Sequence, residues 1–133
     1  MDKMAADTTV YEIKIAVLCI SNKGQFLLRK NRDGTLWVPP IGNPSVYIGL
    51  QSAAEEIIRK ETGMEITGRI ALVSAASGYE DGIPTLVLTY KTPIGFNKPK
   101  QEGWEFFGLN ELPAVYPLCR EAVDKTITQF LGR

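Results

Sequence analysis

The side chains best suited to chemistry in this 133-residue chain fall into three groups, and none contains histidine, because the chain has none. That absence excludes His-based triads, His general bases and every His-ligated metal site. The first group is the basic run Arg29, Lys30 and Arg32, which precedes Trp37. It could meet a phosphate chain at the mouth of a cleft, or form a solvated basic loop. The second is Glu55, Glu56, Lys60 and Glu61, closed by Gly63. Glu55 and Glu56 precede Arg59 and Lys60 at i,i+4 spacing, the favourable order for ion pairs along a helix, so this helix is expected to neutralise itself. The third is Glu102 and Glu105 around the aromatic residues Trp104, Phe106 and Phe107. Its acids could assist a metal and its rings could stack a base. Surface acids on a strand edge and aromatic residues in a core are the plainer alternatives.

The elements that position these groups belong to a chain of ordinary single-domain size, with 44% hydrophobic residues to build a core. Fifteen basic and fifteen acidic residues cancel, so no long-range pull toward nucleic acid or an anionic membrane is implied. Residues 1–9 carry Asp2, Lys3 and Asp7 without an apolar run, and read as a short tail ahead of one domain over 10–133. No segment approaches a membrane span or a signal peptide, and a soluble, cytoplasmic protein is the expectation. Cys19 and Cys119 have no spacing that suggests zinc or a disulfide framework.

Tyr11–Ile20 and Gln25–Arg29 are apolar and β-branched runs about Ser21-Asn22-Lys23-Gly24, and predict a hairpin. A short apolar piece, Leu36-Trp37-Val38, is stopped by Pro39-Pro40 and should lead into a loop. From Leu50, apolar Ala53, Ala54, Ile57 and Ile58 recur at helical spacing, with Gly63 as the stop. Ile66–Ser74 and Pro84–Thr92 predict two more strands, with Gly78–Gly82 as a turn that could act as a small lid. Another short strand fits Trp104–Phe107. Cys119, Ala122, Val123, Ile127 and Phe130 define one face of a C-terminal helix opened by Pro117. The order predicts an α/β fold, a mixed sheet between helices.

Trp37-Val38-Pro39-Pro40-Ile41-Gly42, then Ala53-Ala54, then Glu61-Thr62-Gly63-Met64 resembles the loop-helix-loop box of the Nudix hydrolases. The hairpin before it and Glu102–Phe107 with Glu111-Leu112-Pro113 after it look like members that sanitise nucleoside triphosphates. The resemblance implies a Nudix fold over nearly the whole chain. In that family three glutamates at i, i+3 and i+4 share a helix face and bind Mg²⁺ through hard oxygen donors. Anchored on Gly63, the register puts those glutamates on Ile57, Lys60 and Glu61, the family arginine on Glu56, and the loop glutamate on Ile48. Ile41 and Tyr47 stand where the loop typically has glycine.

Magnesium would hold phosphate oxygens and orient the attacking water, so loss of its ligands removes both effects. A lysine ammonium about 4 Å from a divalent ion is repelled by roughly 8 kcal/mol at an effective dielectric of about 20. The expectation is therefore a Nudix-fold protein that has lost ordinary Mg²⁺-dependent pyrophosphohydrolysis and binds a nucleotide-like ligand, such as a nucleoside diphosphate derivative, or a protein partner. Arg29, Lys30, Arg32, Lys60 and Trp104 are the candidate ligand-binding residues. The enzyme alternative is a divergent hydrolase with Glu61 catalytic and Glu61, Glu102 and Glu105, with Glu56 as a further candidate, around Mg²⁺ or Mn²⁺; without hydrolysis no cofactor is implied. A third alternative is a structural or self-associating module in which Ile41, Ile48 and Ile57 fill the old cleft. A homodimer is an expectation from relatives.

Overall fold

The computed structural model describes residues 10–45, 49–66 and 69–131. Among the described residues seven strands and two helices follow one another as β1 (Glu12–Ser21), β2 (Phe26–Lys30), β3 (Trp37–Val38), β4 (Ile41–Gly42), α1 (Leu50–Thr62), β5 (Ala71–Glu80), β6 (Ile83–Gly95), β7 (Trp104–Phe107) and α2 (Pro117–Leu131). They form one mixed sheet in the order β3-β2-β1-β6-β5, with β4 added to β1 and β7 to β2. Its centre is the parallel pair β1 and β6, in register from Glu12 opposite Thr85 to Cys19 opposite Thr92. Ile15 to Cys19 are all wholly buried, as expected for a strand covered on both faces.

Alternation along the strands divides the core in two. Ile15, Val17, Cys19 and Leu27 pack with Ala53, Ala54, Ile57 and Ile58 of α1. Ala16, Leu18, Phe26 and Leu28 pack on the other face with Cys119, Ala122 and Val123 of α2. Burial pushes the thiols of Cys19 and Cys119 up to about 12, so both cysteines serve packing rather than reactivity.

α1 runs where its apolar spacing predicts, and ends at Gly63, whose φ of 80° places it in the left-handed region while its N–H donates to the Arg59 carbonyl. A Cβ on Gly63 would also come within 3.0 Å of Lys100 Cβ. Met64 N donates to the Thr62 hydroxyl, which itself donates to the Ile58 carbonyl. The end of the helix is thus fixed, and with it the direction of Glu61.

Several expectations are corrected. The strand expected over Ile66–Ser74 begins at Ala71 and continues through Gly78 and Tyr79 to Glu80. The reversal is a two-residue turn, Asp81-Gly82, with φ of 52° and 80°, the backbone form that matches the twist of a hairpin. The region read as a lid is therefore sheet, and Glu80 is tied to Lys14 of β1 at 2.5 Å. β6 extends past the predicted Thr92 and takes in Pro93, which lies opposite Ile20 of β1, whereas its pairing with β5 stops at Lys91. Pro39-Pro40 leads not into loop but into β4, where Ala16 pairs with Ile41 and Ile15 with Gly42. On α2, Phe130 is 44% exposed, and the last buried position of that face is Thr126.

Candidate ligand site at the end of α1

Glu61 lies on the buried side of α1, one turn beyond the buried pair Ile57 and Ile58. A carboxylate held there requires a partner. Arg29 supplies it. The strand register puts Arg29 directly opposite Trp104 of β7, and its guanidinium makes an ion pair with Glu61. The same guanidinium lies 4.7 Å from the centre of the Trp104 ring, a cation–π arrangement. Trp104 Nε1–H donates to the Glu61 main-chain carbonyl at 3.1 Å. Glu61 is therefore held at its side chain by Arg29 and at its backbone by Trp104. With side-chain exposures of 35% and 23%, the pair lies between the surface case, worth a fraction of a kcal/mol, and the buried case, in which removing one partner is costly.

The segment before β7 closes the end of the helix. Lys100 N donates to the Thr62 carbonyl at 2.7 Å, and Gln101 Nε2 to the Lys60 carbonyl at 3.0 Å. Helix carbonyls that would otherwise face solvent or ligand are thereby satisfied. Lys60 is exposed. The expected i,i+4 pairing of α1 is not what is found: Arg59 turns instead to Glu65 at 4.0 Å, because the helix stops and the chain reverses at Gly63.

Of the other candidate residues, Glu102 is exposed in the turn before β7. Glu105 is exposed on β7 and, by strand alternation, points away from the face shared by Trp104 and Glu61. Among the described residues no three Asp, Glu, His or Cys side chains gather as a metal site, so Glu61, Glu102 and Glu105 are not brought together. The basic run is also divided. Arg29 faces α1. Lys30 faces the other side, 5.8 Å from the centre of the Trp37 ring, and Trp37 in turn meets Phe107 edge to face at 4.7 Å. Arg32 is exposed in the turn between β2 and β3.

These positions do not fit a Mg²⁺ or Mn²⁺ ion. Ile57, in the first metal-ligand position implied by the resemblance, is 4% exposed within the core, and its Cγ1 would be 3.5 Å from a Cβ placed on Gly42. Lys60 brings a cation to the second. The third, Glu61, is neutralised by Arg29. Tyr47 and Ile48 lie outside the described residues. Among the described residues, clefts elsewhere on the surface include two that are not lined by Arg29, Glu61 or Trp104.

The Arg29–Glu61 partnership is what reading the chain in order missed. A signal was present, since Glu61 continues the apolar stripe of Ile57 and Ile58 and so had to find a cation. Which cation depended on the register of β2 with β7, between segments far apart in the chain.

Comparison with solved structures gives the fold. The MutT protein of Methanosarcina mazei Go1 superposes with a TM-score of 0.73 at 13% identity, over 92% of this chain and 96% of its own. A MutT NUDIX hydrolase of Burkholderia pseudomallei gives 0.74 at 19% identity, over 87% and 98%. The NUDIX domain of Shewanella oneidensis NrtR, solved with ADP-ribose, gives 0.75 at 9% identity, over 96% and 97%. No protein-family profile and no curated sequence matches the chain. The chain has the Nudix fold, as the sequence resemblance implied.

Proposed function

Starting from the Nudix fold, we propose that this protein binds a nucleoside diphosphate derivative through the cationic and aromatic groups around the end of α1, without metal-dependent cleavage. The observation that carries this reading is the fate of Glu61. It is the one carboxylate left where the resemblance calls for three, and Arg29 has taken it. Binding Mg²⁺ there would require the ion to displace a guanidinium stacked on Trp104 and to sit beside Lys60 and an apolar Ile57. What the site offers a ligand is the exposed ammonium of Lys60 for phosphate oxygens and, for a base or sugar ring, the part of Trp104 that Arg29 does not cover. A Nudix domain of the same fold holding ADP-ribose supports the choice of ligand class.

The divergent-hydrolase alternative would have to assemble a site from Glu61, Glu102 and Glu105, of which Glu105 faces away from Glu61. The proposed role predicts that ADP-ribose, in metal-free buffer, raises the melting temperature and remains intact. At a concentration about 100 times the Kd the stabilisation is about 2.7 kcal/mol, or about 10 °C for a chain of this size. Thermal melts with chromatography of the recovered ligand check this. No shift with ADP-ribose, ADP or UDP-sugars would rule out the proposed ligand class.

A further inference from the structure

The larger cleft lies away from α1, on the face of the sheet covered by α2, where the ends of β1 and β6 and the start of β5 meet the last turns of that helix. Its volume is about 550 Å³, within the range of pockets that hold small organic molecules. Ile20, Ala71, Pro93 and Phe130 supply an apolar lining. Phe130 is 44% exposed, although its place in the helical pattern is that of a core residue, so an aromatic face is presented to the cleft instead of being used by the core.

Among the described residues this lining holds two cations, Arg69 and Lys91, and no acid. Arg69 makes no ion pair among the described residues. Lys91 is held by a hydrogen bond from its Nζ to the neutral side-chain oxygen of Gln129 on α2, which orients the ammonium without cancelling its charge. An apolar cleft edged by two uncompensated positive charges is complementary to one kind of small molecule. We propose that this cleft is a second binding site, for a small organic anion with an apolar body and a carboxylate or phosphate head. The apolar body would lie against Phe130 and Pro93, and the head would meet Arg69 and Lys91. This site is independent of the ligand proposed for the end of α1.

The test uses octanoate as probe and octan-1-ol as its uncharged match, titrated into ¹⁵N-labelled protein and followed by amide chemical shifts. Octanoate should give saturable shifts centred on Ala71, Thr92, Gln129 and Phe130, with tighter binding than octan-1-ol. Arg69→Gln and Lys91→Gln should each weaken octanoate roughly tenfold, the loss of one charge-assisted contact, and leave octan-1-ol unchanged. Both replace exposed or cleft-edge cations, and unchanged shifts elsewhere in the spectrum would verify the fold. Shifts that do not saturate, that centre on other residues, that are matched by octan-1-ol, or that survive both substitutions would overturn the proposal.

Discussion

Trp104→Ala should lower folding stability by about 3 kcal/mol, at the low end for removal of a large aromatic side chain because Trp104 is only half-buried. For a chain of this length that is a fall in melting temperature of about 10 °C. The loss has three parts: packing of the ring against the α1 core, the indole hydrogen bond to the Glu61 carbonyl, and the ring face beneath Arg29. Trp104→Phe keeps the ring face and loses the N–H, so it should cost only about 1 kcal/mol. Urea denaturation of the two variants separates these contributions. Equal costs for alanine and phenylalanine would mean that neither the ring packing nor the ring face under Arg29 contributes.

The second large effect comes from placing carboxylates at the helix positions that the resemblance assigns to metal ligands. Ile57→Glu and Lys60→Glu, combined with Arg29→Gln to release Glu61, should create a Mn²⁺ site from three oxygen ligands on one helix face. Without metal this variant should be at least about 3 kcal/mol less stable, because it places a carboxylate at a buried core position. Mn²⁺ should restore part of that loss, since a ligand of the native state stabilises it. Glutamates introduced with Arg29 retained should bind the ion more weakly, because the guanidinium still competes for Glu61. Calorimetric Mn²⁺ titrations and melts of the parent, the double and the triple variant give the comparison. A triple variant with no more affinity for Mn²⁺ than the parent would show that the register anchored on Gly63 is wrong.

Much of this arrangement was legible in the chain because local patterns dominate it. α1 was readable from Ala53, Ala54, Ile57 and Ile58 with a glycine stop, and α2 from Cys119, Ala122 and Val123. β5 was misplaced because Gly78 and the nearby acids look like turn residues, whereas the sheet requires a strand up to Asp81-Gly82. β4 escaped notice because two residues carry no periodicity, and its pairing with β1 is a tertiary fact. The residue types of the site were legible in the chain and its contacts were not. Ile57 and Lys60 could be read as helix positions without a carboxylate, yet nothing local tells that Arg29 faces α1 while Lys30 faces α2. That division follows from strand alternation once β2 is set in register with β7, and it separates residues that adjacency in the chain had suggested were one phosphate-binding group.

The most direct test of the central claim, that Glu61 serves Arg29 rather than a metal, is hydrolysis of a broad panel of nucleoside triphosphates and nucleoside diphosphate conjugates with Mg²⁺ and with Mn²⁺, with chromatographic detection of products. The expected result is no metal-dependent turnover above the uncatalysed rate on any substrate. Turnover at an ordinary enzymatic rate, on the order of 1 s⁻¹ or faster, and abolished by chelation, would contradict it and place a working metal site in this fold despite the Arg29–Glu61 pair.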